Sequence, residues 1–176
     1  MASRWLAAGS VAAALAAAGA CARVPAGRPP ATIPDPPVAT SRPASSSGGD
    51  ALAETALAWV GAPYRDGGSD PSGFDCSGFV QYVFAERGLP LPRGVGEQRH
   101  TGRPVSPTDV RAGDLVFFAT EGTSASHVGI AVGPDAFVHA PSSGGRVRVE
   151  RLSAPYWSRR LVAARRVVEE AVVTPR

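Results

Sequence analysis

Residues 73–88 read Gly73-Phe74-Asp75-Cys76-Ser77-Gly78-Phe79-Val80-Gln81-Tyr82-Val83-Phe84-Ala85-Glu86-Arg87-Gly88. Phe79, Val80, Val83 and Phe84 recur at helical spacing, Asp75 is a good N-cap, and Gly88 fits a C-terminal stop. Cys76 therefore falls in the first turn of a helix. A glycine-rich loop, Tyr64 to Gly73, leads into it. Before the loop, Asp50 reads as the cap of an earlier helix with Ala53, Ala56, Leu57 and Val60 on one face, stopped by Gly61-Ala62-Pro63. Beyond the central helix the period changes. Leu115–Phe118 reads as a buried strand, and His127–Val132 and Ala136–Ala140 as two strands joined by the turn Gly133-Pro134-Asp135. Val147–Val149 and Leu161–Val168 are further strands. Helices first and strands afterwards describe an α+β domain over residues 51–168, its N-terminal helices packed on an antiparallel sheet.

A free cysteine is most often a buried, inert side chain. Three local features set Cys76 apart. The partial positive charge of a helix N-terminus favours thiolate, the glycine loop can open the site to solvent, and Ser77 and Gly78 are small enough to let another element approach. A base is still needed, because an ordinary thiol is only a few per cent ionised at neutral pH. The chain has three histidines. His100 sits in a loop with charged neighbours and reads as merely exposed. His127 and His139 flank one turn. With period two, His127, Gly129 and Ala131 share a face, as do Phe137 and His139; pairing Val132 with Ala136 sets His139 opposite Gly129, with His127 on the adjacent diagonal. Alone, either histidine is a satisfied strand residue; together, with glycine and alanine between them, they point to a site. Zinc would call for a fourth ligand and close spacings such as C-x-x-C, which are missing. A nucleophile, a base and an orienting group need only spatial proximity, so nucleophilic catalysis without metal or cofactor is the better account.

The remaining third of the chain is not fold. Its first twenty residues combine one early charge, Arg4, with a short Ala-rich apolar run ending Ala18-Gly19-Ala20-Cys21. That is the pattern of a secretory signal peptide over residues 1–20, too short for a membrane span. Cys21 stands where bacterial lipoprotein signals place the acylated cysteine, although Ala18 replaces the usual leucine and Ala18-Gly19-Ala20 also suits ordinary cleavage. Residues 22–50 hold seven Pro, four Ser and three Gly, which makes residues 21–50 a disordered linker behind a lipidated cysteine. Residues 169–176 form a C-terminal tail. All 18 basic residues are Arg and the net charge is +3. Seven arginines between Arg146 and Arg166 alternate with apolar residues, which suits a solvated sheet face better than a polyanion contact; no nucleic-acid partner is expected. With one cysteine for lipid and one for chemistry, no disulfide is expected; a Cys21–Cys76 bridge is the alternative.

Residues 55–168 resemble the NlpC-type cysteine peptidases, the papain-like endopeptidases of bacterial cell walls. The resemblance runs through Gly61-Ala62-Pro63-Tyr64 with Gly67-Gly68, then Phe74 to Val80, Leu91-Pro92-Arg93 with Glu97-Gln98, and Gly113 to Phe118. It continues through His127-Val128-Gly129-Ile130 and closes on Phe137-Val138-His139-Ala140. It implies a papain-like fold with Cys76 as nucleophile, His127 as general base and acid, and His139 orienting His127. Tyr64, Asp75 and Ser77 match positions bordering the substrate cleft. The implied substrate is the peptidoglycan stem peptide, cut at γ-D-glutamyl–diaminopimelate or D-alanyl–diaminopimelate bonds through a thioester. The implied protein is a monomeric lipoprotein held to the cell envelope through Cys21. Papain-like amidases or acyltransferases, and a non-catalytic wall-binding lipoprotein, are the rival readings. Gly94-Val95-Gly96 and Ala112 depart from the family's habits, the first at a cleft wall.

Overall fold

A computed structural model of the chain describes residues 47–168. The signal peptide, Cys21 and most of the linker, and the tail from residue 169, lie outside the described residues. The first helix, α1, spans Gly48–Ala58. It starts three residues before the expected point, because Ser47 and Asp50 form a reciprocal capping box: Asp50 N–H donates to Ser47 Oγ at 3.2 Å, and Ser47 N–H to the Asp50 carboxylate at 3.1 Å. Asp50 is thus the third helical residue and not the cap. The packed face carries Ala51, Leu52, Ala53 and Ala56, while Leu57 and Val60 are 42% and 47% exposed. Leu57 is five residues on from Leu52 and so lies about 140° round the helix from it. Val60 falls beyond the helix end.

The loop after α1 carries two short paired strands, β1 (Ser69–Asp70) and β2 (Gly73–Phe74). The central helix α2 spans Cys76–Glu86 with Asp75 as its cap, and Gly88, at φ +73°, turns the chain away after it. A one-turn helix, α3 (Val95–Gln98), and an edge strand, β3 (Arg103–Val105), follow. Next come β4 (Leu115–Phe118), β5 (His127–Ala131), β6 (Ala136–His139), β7 (Arg148–Arg151), the short helix α4 (Pro155–Ser158) and β8 (Leu161–Arg166). The six long-range strands form one antiparallel sheet in the order β3-β8-β4-β5-β6-β7. This is the expected α+β, papain-like architecture. β3, α3 and α4 have no counterpart in the sequence reading; each is at most four residues long, too short for a periodic signal.

The strands of β4 and β5 are buried on both faces, and their alternation divides the core in two. Leu115, Phe117, Val128, Ile130 and Val138 face α1 and α2, meeting Leu52, Phe79, Val83 and Phe84. Val116, Phe118, Ala131 and Phe137 face the other way, against Trp157 of α4 and Leu152. Among the seven arginines of 146–166, the sheet holds one deeply: Arg166 donates through Nε and Nη2, each at 2.7 Å, to Asp114, which is 1% exposed. Arg148 and Arg151 pair with Glu150 and Asp135. Three of the seven arginines are thus paired with carboxylates within the domain.

Candidate active site

Asp75 builds the first half of the site. Its carboxylate accepts the Gly78 N–H at 2.7 Å, satisfying one of the orphan donors at the start of α2, while its carbonyl takes the Phe79 N–H as the first bond of the helix. The Cys76 and Ser77 N–H groups are left over, and both point at the Cys76 sulfur. Arg93 braces the cap from outside, paired with the Asp75 carboxylate and donating to Ser77 Oγ at 2.8 Å. Gln98, fully buried, donates to the carbonyls of Ser77 and Pro92 at 3.0 and 2.8 Å. Gly78 packs so closely on Gly68 that a Cβ there would sit 2.0 Å from the Gly68 carbonyl oxygen. The glycine loop is a tight seat for the helix end.

The second half comes from the sheet. β5 and β6 pair Ile130 with Val138 and Ala131 with Phe137, a register that sets Gly129 opposite His139 and leaves His127 and Val128 unpaired on that side. A Cβ on Gly129 would stand 3.2 Å from the His139 Cβ and 2.7 Å from the Phe137 ring, so glycine is what lets the second histidine close on the first. His127 Nε2 lies 2.7 Å from His139 Nδ1. The free Val128 N–H donates to the Cys76 sulfur. With Nε2 engaged, Nδ1 is the His127 ring nitrogen left to exchange a proton with another group. Trp157 covers the pair, its ring 5.6 Å from His127 in a stacked arrangement and 4.9 Å from His139 edge-on.

Burial dominates the electrostatics. It pushes the Cys76 thiol above its usual range, with Asp75 adding to the rise and the backbone N–H groups opposing it. The helix N-terminus alone does not make the resting cysteine a thiolate, in keeping with the expected need for a base. Burial, reinforced by Arg148, lowers His127 to about 4, and His139 falls further through burial and the neighbouring ring. The resting pair is a neutral thiol beside a neutral imidazole. Such a pair can pass one proton from sulfur to nitrogen when a carbonyl arrives, with the two helix-end N–H groups placed for an oxyanion.

The other expected residues fall as follows. Tyr64 borders the thiol: its backbone bridges Phe74, and its hydroxyl is raised by burial, by Asp66 and by Cys76. Ser77 is buried and Asp75 half-buried, with their side chains committed to Arg93 and the helix cap; what Ser77 turns to the thiol is its N–H. His100 is exposed, and Cys76 is a free thiol. On the far side of His127 a cleft of ≈ 240 Å³ is lined by Thr120, Glu121, Ser142, Tyr156 and Trp157 among others. The sequence reading gave no role to Arg93, Gln98 or Trp157. Arg93 and Gln98 lie in stretches it quoted, and Trp157 sits beside Pro155 and Tyr156 with nothing periodic to mark it. Among the described residues no group of three His, Cys, Asp or Glu is placed to hold a metal ion, and no helix is long and apolar enough to cross a membrane.

Known proteins resemble this chain in sequence and in fold. The probable endopeptidase NlpC homolog of Haemophilus influenzae is 41% identical over 132 residues, 74% of this chain and 69% of that protein. The murein DD-endopeptidase MepS/murein LD-carboxypeptidase of Escherichia coli is 47% identical over 114 residues, 64% of this chain and 60% of that protein. A crystal structure of an NlpC/P60 family protein from Bacillus cereus superposes with a TM-score of 0.66 at 31% identity, covering 70% of this chain and 41% of that one. The NlpC/P60 family pattern itself matches residues 61–166, from the loop before Tyr64 to the last residue of β8. On that span, and on a fold that superposes with it, the chain belongs to the NlpC/P60 family.

Proposed function

We propose that the chain is a peptidoglycan endopeptidase that cuts cross-linked stem peptides at the D-alanyl–diaminopimelate bond through a thioester on Cys76. The observation that carries this reading is the buried 2.7 Å contact between His127 Nε2 and His139 Nδ1, set beside a thiol that receives the Val128 N–H. In the proposed reaction His127 Nδ1 takes the thiol proton as sulfur attacks the peptide carbonyl. The Cys76 and Ser77 N–H groups hold the oxyanion, His127 returns the proton to the leaving amine, and water then releases the acyl half. His139 orients His127. Tyr64 borders the acyl side of the thiol, and the cleft over Trp157 lies on the other. The E. coli relative's name, a murein DD-endopeptidase, supports the D-alanyl bond over the γ-D-glutamyl one.

Export and attachment are part of the same proposal. Acylation at Cys21 would hold the domain to the cell envelope on a Pro-rich tether that spans roughly 3 Å per residue, keeping it near an immobile substrate. The test is digestion of purified sacculi with the full chain, followed by fragment masses. Conversion of cross-linked dimers to monomers with a new diaminopimelate amine is expected. Cleavage only at γ-D-glutamyl bonds would move the cut, a freed glycan end would make the protein an amidase, and peptides released only from soluble fragments would remove the intact wall as substrate.

A further inference from the structure

The contact between His127 and His139 has two neutral forms. In one, His127 carries its proton on Nε2 and donates to His139 Nδ1. In the other, His139 carries its proton on Nδ1 and donates to His127 Nε2. Only the first leaves His127 Nδ1 bare and able to accept the Cys76 proton. The 2.7 Å distance is the same in either, so something beyond the pair must choose.

The choice falls to the far nitrogen of His139. In the productive form His139 carries its proton on Nε2; in the other, Nε2 is a bare lone pair. That nitrogen is buried, in a side chain with 0% exposure, and makes no hydrogen bond. The carboxylate nearest it is Glu150, with Oε1 3.8 Å away. Glu150 is itself fixed on both oxygens: Arg148 Nε donates to Oε1 at 2.7 Å, and Trp157 Nε1 donates to Oε2. The register explains why it is there. β6 and β7 pair His139 with Arg148 and Phe137 with Glu150, so Arg148 and Glu150 project from the same face as His139, under Trp157. A lone pair facing a carboxylate is repelled and an N–H is attracted, so Glu150 selects the proton on Nε2.

We propose that Glu150 is a positioning residue that sets the tautomers of His139 and His127, making Cys76, His127, His139 and Glu150 a four-membered chain. This rests on the reading of Cys76 and His127 as nucleophile and base. The proton accounting is closed. Cys76 gives its proton to His127 Nδ1, and the imidazolium donates its Nε2–H to His139 Nδ1. His139 keeps its own proton on Nε2 toward Glu150, and Glu150 is never protonated. When His127 passes the Nδ1 proton to the leaving amine, both rings are back in their starting forms. The 3.8 Å approach is longer than a hydrogen bond, as catalytic contacts often are before substrate arrives. One other feature fits. The Glu150 charge raises the proton affinity of His127 while Arg148 opposes it. The remaining titratable groups around the pair are Cys76 from α2, Arg148 from β7, and Glu121 and Tyr156 in the cleft that His127 lines.

Imidazole ¹⁵N NMR tests this on the full chain with labelled histidine, where only three rings need assignment. Both His127 and His139 are expected to be protonated on Nε2 at neutral pH; a wild-type His139 protonated on Nδ1 overturns the proposal. That measurement needs no variant and no substrate, so it stands whether or not peptidoglycan is cut. In Glu150→Gln, His127 is expected to gain a population protonated on Nδ1, and kcat on cross-linked muropeptides to fall at least about tenfold, with KM little changed and part of the loss recovered in Glu150→Asp. A wrong tautomer costs a Ser–His–Asp triad roughly 10⁴-fold, which bounds the loss. A folded Glu150→Gln protein with wild-type kcat and wild-type tautomers overturns it. Loss through KM alone, with unchanged tautomers, would make Glu150 a substrate contact and overturn it as well.

Discussion

Gly129→Ala tests the closeness on which the histidine pair depends. The added Cβ would lie 2.7 Å from Phe137 Cδ2, 2.8 Å from the Val138 carbonyl oxygen and 3.2 Å from the His139 Cβ. Carbon atoms in good contact sit roughly 3.5–4.0 Å apart, so β5 and β6 must separate by several tenths of an ångström up to about 1 Å. Phe137 cannot yield alone, being fully buried with ring centroids 4.9 Å from Phe118 and 5.2 Å from Trp157. Overpacking of this kind costs about 1–3 kcal/mol, which for a domain of this size lowers Tm by roughly 4–12 °C. The same displacement carries His139 away from His127, and a misplacement near 1 Å costs on the order of 10²-fold in rate. The assay is a thermal melt together with the rate of muropeptide dimer cleavage. Gly133→Ala, in the turn between the same two strands, is the control: its Cβ would meet nothing within 4 Å, and Tm should stay within about 2 °C of wild type. A Gly129→Ala protein with wild-type Tm and rate would refute the reasoning.

Three further outcomes follow from the buried groups. His127 is lowered from 6.5 to about 4 by burial, so the unfolded chain binds the proton first as pH falls. Its stabilising contribution is complete above pH 6.5 and is lost progressively between there and pH 4, on the order of 3 kcal/mol; denaturant melts that are flat across this window would contradict the burial argument. Burial raises the Cys76 thiol, so its alkylation by iodoacetamide should keep accelerating past the ordinary thiol range; a rate already at its plateau near pH 5 would indicate a resting thiolate–imidazolium pair instead. Arg166→Met takes both guanidinium donors from the Asp114 carboxylate, 1% exposed, and leaves it the Arg111 N–H. It should destabilise the domain by about 3 kcal/mol in a urea melt, and a change below about 1 kcal/mol would mean that Asp114 is not held by that pair.

The fold was legible where the period was strong. Phe79, Val80, Val83 and Phe84 marked α2, and the runs at 115–118, 127–131 and 136–139 marked three central strands within a residue of their ends. The facing of His127 and His139 could be worked out because strand alternation and one turn fix the register. Failure came where tertiary contacts override local signal. Asp50 looked like a cap because nothing in its neighbourhood announces that Ser47 will fold back on it. The helix dipole favours thiolate, whereas burial under the sheet, invisible in a linear pattern, outweighs it. Glu150 carried a faint mark: the alternation Val147-Arg148-Val149-Glu150 puts Arg148 and Glu150 on one face. Only the β6–β7 pairing shows that this face is the one holding His139.

The most direct measurement of the central claim is the rate at which Cys76→Ala converts cross-linked muropeptide dimers to monomers, run beside wild type at neutral pH. Removing the sulfur leaves the cap, the sheet and the histidine pair in place, so the variant should keep its Tm and its wall binding. The account expects cleavage to fall to background, with wild type giving one new amine per cross-link cut. A folded Cys76→Ala protein that still cuts dimers at a rate close to wild type would contradict it.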